Sequence, residues 1–129
     1  YGGRWNPPGS PVVYASESRA LAALEVFVHL TLEARTMRFQ LYEITLPKRA
    51  RLRHHGPQQR RSLAASQATG RAWLDDAKSL ALVVPSIIVP QEYNYVLNVR
   101  HPQFDRLAIS RPEPFSFDER LWRSGSPGQ

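Results

Sequence analysis

Residues 1–25, YGGRWNPPGSPVVYASESRALAALE, constrain the fold more than any other stretch. They read as a loop, a short strand and a helix in immediate succession. Gly2 and Gly3 before Arg4 permit tight backbone geometry, and Pro7–Pro8–Gly9 is a turn signal. Val12, Val13 and Tyr14 are β-formers behind Pro11, so a short strand follows. Ser16 or Ser18 can cap the next helix, which is expected from about Ser18 to Ala34. Leu21, Leu24, Val28 and Leu32 follow helical spacing and share one face. Glu25 falls near the middle of that face, where a carboxylate is costly to bury unpaired.

Two readings of Glu25 follow, and the helix alone weighs them equally. In one, Glu25 makes a structural ion pair or hydrogen bond with a core arginine. In the other it faces a cleft, where carboxylates in unusual surroundings tend to carry chemistry. Arg4 nearby serves both.

The remaining chain reads as a scaffold. Arg38 to Leu46 (RFQLYEITL) alternates as a strand, ended by Pro47. Lys48 to Gly56 reads as a basic loop. Gln58 to Ala77 has helical composition, with Gly70 a potential break; Trp73 and Leu74 are expected in the core. Leu80 to Val84 is a continuous apolar run, short enough for a buried strand. It is interrupted at Pro85–Ser86 and resumes over Ile87 to Val89. Tyr95 to Val99 and Arg106 to Ser110 are further strand candidates, Phe115 to Trp122 packs the end of the domain, and Ser124 to Gln129 reads as a frayed tail. The order β, α, β, α, then several β indicates one α+β domain over residues 1–129, with largely segregated strands.

With 129 residues the chain suffices for one core. No apolar run approaches the ~20 residues that span a bilayer, and the start has no signal-peptide pattern. The absence of cysteine excludes disulfides, thiolate nucleophiles and Cys-ligated zinc, and permits a reducing cytoplasm. The net charge of +6, carried mostly by arginine, suits an anionic ligand, nucleic acid or an acidic protein. The basic clusters Lys48 to Arg53 and Arg60–Arg61 read as solvated surface.

Several chemistries find no support. Glu25 and His29 are one helical turn apart, but there is no HExxH and no second ligand cluster, so no metal is expected. His29 reads as a helix-face residue, His54–His55 as a solvated pair and His101 as a turn residue. Ser86 lacks the G-x-S-x-G setting of a nucleophile elbow and reads as a turn residue. There is no Walker A motif, no G-x-G-x-x-G and no basic recognition helix, so direct nucleic-acid binding is not expected. What remains is Arg4, Tyr14 and Glu25 at spacings of ten and eleven residues, with Ser86 beside a strand. Arg fits phosphate bidentately, Tyr offers a flat face to a heteroaromatic ring, and Glu can bind ribose hydroxyls and stabilise an oxocarbenium-like sugar. Such a set fits a nucleotide whose glycosidic bond is broken. A non-enzymatic basic module gripping an acidic protein or nucleic acid is the rival class.

At these residues the chain resembles a known family. GGRWNPPGSPVVYASESRALAALE, GRAWLDDAKSLALVVPSIIVPQEYNYVLN, HPQFDRLAI and PFSFDERLW together resemble RES-domain proteins, named for Arg, Glu and Ser. The likeness spans nearly the whole chain, and GGRWN, VPS and EYNYVLN are its specific parts. It implies an ADP-ribosyltransferase-like split β-sandwich with flanking helices. It also implies a bacterial, cytoplasmic toxin of a toxin–antitoxin pair that acts on NAD+ as substrate, destroying it or transferring ADP-ribose. The partner it implies is an antitoxin with an Xre-like DNA-binding region that occludes the active site, with a homodimer expected within the complex.

By position the resemblance selects Arg4, Tyr14, Glu25 and Ser86. It assigns phosphate or ribose binding to Arg4 and stacking on nicotinamide to Tyr14. Glu25 would bind ribose and stabilise the oxocarbenium ion, and Ser86 would orient Glu25 or the ribose. Gly3 and Asn6 join the substrate-binding set through GGRWN. Two departures stand out. The strand usual before GGRWN in that family has no counterpart in this sequence, so part of the NAD+ pocket is expected outside it. The family's LNP step before HP is here Asn98, Val99 and Arg100, which alters the expected loop geometry.

Overall fold

The computed structural model describes residues 3–56 and 62–123. In chain order the elements are β1 (Val12–Ser16), α1 (Arg19–Phe27), β2 (Phe39–Leu41), β3 (Ile44–Thr45), β4 (Leu52–His54), α2 (Leu63–Asp76), β5 (Ala81–Pro85), β6 (Tyr93–Asn98), β7 (Ala108–Ile109) and β8 (Glu113–Phe115). Short 3-10 turns span Ala34–Thr36, Pro102–Arg106 and Glu119–Leu121. The α+β class expected from the sequence is the one observed.

The main sheet has the order β1-β6-β5-β4. Its pairs are antiparallel except β4 with β5. A parallel pair needs a crossover, and α2 supplies it. Two antiparallel ribbons, β2–β8 and β3–β7, complete the strands.

Alternation sorts the residues of β5 and β6 onto two faces. Leu82, Val84 and Val96 join Trp5 and Trp73 in one buried cluster, flanked by Val12 and Leu74. That face is covered by α2 and the GGRWN loop. Leu80, Ala81 and Leu97 form a second cluster against Ile44, Leu46, Leu52, Phe104 and Leu107. Ala81 to Val84 are buried throughout, as the unbroken apolar run requires of a strand covered on both sides. Each fully buried Val or Leu contributes about 1.5–3 kcal/mol. At the far end Phe27, Phe39, Phe115, Phe117 and Trp122 form an aromatic cluster around Phe117, as expected for residues 115–122. The Arg35 guanidinium lies over Phe27 at 5.0 Å.

Several boundaries differ from the sequence expectation. Helix α1 starts on Ser18, whose hydroxyl accepts the Leu21 amide, but ends at Phe27 rather than at Ala34. Phe27 is drawn into the aromatic cluster, and His29 and Leu30 close tighter i→i−3 turns. The supposed apolar stripe is not buried: Leu21 is, while Leu24, Val28 and Leu32 are 38%, 55% and 64% exposed. The expected strand from Arg38 to Leu46 is two, because its halves pair with different partners, β8 and β7. Part of the basic loop is β4, held in parallel to β5 with Leu52 turned into the second cluster. His55 is not a solvated residue but packs edge-on against Trp5 at 5.5 Å. Gly70 does not break α2, which runs unbroken from its Ser62 cap; Arg60–Arg61 and the start of the expected helix lie outside the described residues. Ile87 to Val89 forms a turn, not a resumed strand, because the Ser86 hydroxyl accepts the amides of Ile88 and Val89. The strand expected from Arg106 to Ser110 contracts to β7 behind a 3-10 turn capped by His101. Asn98 closes the altered loop before it, accepting the Arg100 amide on its side chain and the His101 amide on its carbonyl. The tail from Ser124 lies outside the described residues.

Candidate active site

The GGRWN loop is built by its own polar groups. The Gly3 amide donates to the Asn6 carbonyl at 3.0 Å and to Asn6 Oδ1 at 2.9 Å. Asn6 Nδ2 donates to the Ser10 carbonyl at 2.9 Å. The Tyr14 hydroxyl donates to Asn6 Oδ1 and accepts the Trp5 amide at 3.1 Å. From α2, Gln67 Nε2 holds the Gly3 carbonyl at 2.8 Å. Gly3 must be glycine here, since a Cβ would lie 2.6 Å from the Tyr14 hydroxyl and 2.9 Å from Asn6 Oδ1. Asn6 is buried and both ends of its amide are committed, so it shapes the loop.

Arg4 stands apart. Among the described residues it makes no hydrogen bond and no ion pair, so its guanidinium is available to a ligand. Its charge is felt at Tyr14. Burial raises the Tyr14 phenol above its ordinary 10.0, and the Trp5 and Asn6 backbone and the Arg4 charge pull it back only in part. Tyr14 is therefore a neutral ring at physiological pH, tethered at its hydroxyl and 46% exposed.

The second half of the site surrounds Glu25, which α1 delivers. The Ser86 hydroxyl donates to Glu25 Oε1 at 2.7 Å. Asn94 Nδ2 donates to the same oxygen at 2.9 Å, and Ser16 Oγ donates to Asn94 Oδ1 at 2.6 Å. Among the described residues Glu25 Oε2 accepts no hydrogen bond. Glu25 thus pairs with neutral donors and not with Arg4, contrary to the ion-pair reading. Ser86 is buried, and the two amides it accepts fix its hydroxyl as a donor to Glu25.

The register joins the halves. Tyr14 is opposite Val96 and Ser16 opposite Asn94, so alternation puts all four on the sheet face that carries Trp5 and Val84. Tyr14 and Ser16 are two residues apart on β1, about 7 Å. The structure therefore brings Arg4, Tyr14, Glu25 and Ser86 to one face, two on each side of Ser16. Ser16 and Asn94 were not singled out from sequence. The available signal was an asparagine among β-formers in YNYVLN, meaningful only once β6 is paired with β1.

A family model for the RES domain matches residues 1–118. The chain belongs to the RES-domain family. Relatives of this RES domain include "Toxin Res" of Yersinia enterocolitica, 38% identical over 128 residues that cover 94% of this chain and 84% of that protein. "Toxin Res" of Pseudomonas putida is 40% identical over 127 residues, 93% of this chain and 86% of that one. "Prs ADP-ribosylating toxin" of a Sphingobium species is 32% identical over 131 residues, 95% and 81% of the two chains.

A broad cleft of the RES domain lies elsewhere. It measures about 920 Å³ and runs along the free edge of β1, between α1 and β2–β3. Tyr14 and Ser16 border it; Arg4, Glu25 and Ser86 do not. Its lining is chiefly aliphatic and aromatic. The Arg4–Glu25 face instead offers a guanidinium and a carboxylate that, among the described residues, make no ion pair. Among the described residues no cluster of three His, Asp or Glu side chains could hold a metal, and no helix is long and apolar enough to cross a membrane.

Proposed function

We propose that this RES domain consumes NAD+ by cleaving the nicotinamide–ribose bond, with water or phosphate as acceptor, and that it does so as the toxin of a toxin–antitoxin pair. The observation that carries the reading is the Glu25 carboxylate, held at Oε1 by Ser86 and Asn94 with Oε2 uncommitted among the described residues. An anion fixed by neutral donors retains its charge for a substrate. Arg4 binds a phosphate of NAD+ through its free fork. The Tyr14 ring stacks on nicotinamide. Glu25 Oε2 accepts a ribose hydroxyl and stabilises positive charge as the bond breaks. The electron pair of the C–N bond goes to the pyridinium nitrogen, so nicotinamide leaves neutral and needs no proton. The oxocarbenium carbon takes water or phosphate, whose proton passes to solvent. Ser86 orients Glu25, while Gly3 and Asn6 shape the loop that carries Arg4.

A second reading, transfer of ADP-ribose to a protein, shares every step but the last and is favoured by the name of the Sphingobium relative, an ADP-ribosylating toxin. The partner is an antitoxin with an Xre-like DNA-binding region that covers Arg4 and Glu25 through an acidic segment or a carboxylate, working in the cytoplasm, with the toxin dimeric in the complex. A non-enzymatic basic module is the rival. The test incubates the purified chain with NAD+ and follows nicotinamide by chromatography and products by mass spectrometry, with and without phosphate. Free ADP-ribose indicates hydrolysis, a phosphorylated ADP-ribose indicates phosphorolysis, and a modified protein indicates transfer. No nicotinamide release under any condition overturns the proposal.

A further inference from the structure

The Glu25 carboxylate has two neutral donors on one oxygen. The resemblance assigns a role to Ser86. Asn94 lies within its EYNYVLN stretch without an assigned role, and its amide is the more demanding of the two. The ends of an asparagine amide differ only in what they offer, a donor or an acceptor. If the amide were reversed, its oxygen would face Glu25 Oε1 and repel it. The carboxylate only accepts, so it takes Nδ2 at 2.9 Å, and the Ser16 hydroxyl anchors the other end of the amide by donating to Asn94 Oδ1 at 2.6 Å. Ser16 is in turn fixed by strand register, directly opposite Asn94 on the paired strands β1 and β6.

We propose that Asn94 is a positioning residue for Glu25, with Ser16 anchoring the far end of its amide. The pair locks Oε1 against the sheet and reserves Oε2 for the ribose. The proposal rests on the NAD+ reading for its kinetic consequence, though not for the contact itself. Few charges compete at the site. Of the other ionisable groups near it in sequence, His29 follows four residues on and is exposed, Glu17 accepts the Tyr93 amide and Arg19 pairs with Glu43; a contribution of His29 is common to both chains and cancels in a ratio to wild type. Arg4 and Glu92 belong to the adjoining loops, and β5 (ALVVP) has no ionisable side chain.

The decisive variant is Asn94→Asp. It is nearly isosteric and sets a carboxyl against a carboxylate, so the two groups share a proton and titrate as a pair. When protonated, the new carboxyl can donate to Glu25 as the amide does; when ionised, it repels. We expect kcat of Asn94→Asp relative to wild type to rise at least ~10-fold as pH falls from 8 to 5.5. Asn94→Ala should lower kcat ~10-fold or more with KM for NAD+ within ~3-fold, because its loss bears on the transition state. Ser16→Ala should lose about 3-fold, since Asn94 Oδ1 then loses the donor that holds the amide in place. A merely structural Asn94 would instead lower the unfolding temperature and leave the pH ratio flat, and that result overturns the proposal. Carbon-13 NMR of glutamate-labelled chain without NAD+ reads the same coupling independently. A Glu25 signal that titrates alike in wild type and Asn94→Asp overturns the proposal even if wild type releases nicotinamide. If wild type releases none but the Glu25 signal shifts in the variant, the NAD+ reading fails and the Asn94–Glu25 contact stands.

Discussion

A methyl group on Gly70 would lie 1.5 Å from the carbonyl oxygen of Trp5 and 2.6 Å from its carbonyl carbon. Helix α2 therefore passes backbone to backbone beneath the GGRWN loop. Glycine inside a helix costs about 0.5–1 kcal/mol relative to alanine. Here the close approach outweighs propensity, because it lets Trp5 sink into the cluster with Trp73 while Arg4, its neighbour, stays uncommitted.

The Gly70→Ala variant measures that approach. Backbone cannot yield as a flexible side chain can, so overpacking should cost about 3 kcal/mol. Urea denaturation should show a lower midpoint, and nicotinamide release should fall as the Arg4 loop is displaced. An unchanged or raised midpoint would mean that α2 and the loop are not in contact.

Tyr14 gives a pH signature. Its phenol is raised in the folded chain, so above pH 10 the unfolded chain releases this proton first. The contribution of Tyr14 is thus complete below about 10 and is lost as pH rises through the higher folded value. In Tyr14→Phe this part of the alkaline decline should disappear. The same change removes the acceptor of the Trp5 amide, a loss of about 1–3 kcal/mol at neutral pH. Thermal unfolding from pH 7 to 11 on both chains checks both effects, and parallel profiles would contradict the assignment.

The sequence made local features legible and left tertiary ones hidden. Glycine, proline and β-branched punctuation act over a few residues, so the loop, β1 and the start of α1 at Ser18 could be read directly. The helical spacing of Leu24, Val28 and Leu32 could not reveal that nothing covers them, and α1 proved shorter. Gly70 read as a breaker because its reason, Trp5, is distant in sequence. For Ser86 the residues alone pointed to a turn, and the resemblance pointed to Glu25; the hydroxyl does both, accepting two turn amides and donating to the carboxylate. Ser16 and Asn94 are 78 residues apart, and only strand register brings them together.

Arg4→Lys separates a planar fork from a point charge. Lysine keeps the charge but not the bidentate geometry. NAD+ turnover should fall at least ~10-fold, equivalent to ~1.4 kcal/mol, with little change in stability, since Arg4 makes no hydrogen bond or ion pair among the described residues. Steady-state kinetics check this, and wild-type values would rule out a bidentate contact.

The most direct measurement is nicotinamide release from NAD+ by the purified chain and by its Glu25→Gln variant, each with its unfolding temperature. Glutamine preserves the shape, and its oxygen can still accept from Ser86 and Asn94, while the charge proposed to stabilise the oxocarbenium ion is gone. The expected result is release by wild type and a fall of at least ~100-fold in the variant, about 2.7 kcal/mol of transition-state stabilisation, with the two chains unfolding within a few degrees of each other. Equal rates in the two chains, or a variant that no longer folds, would contradict a catalytic Glu25 and return it to a structural role.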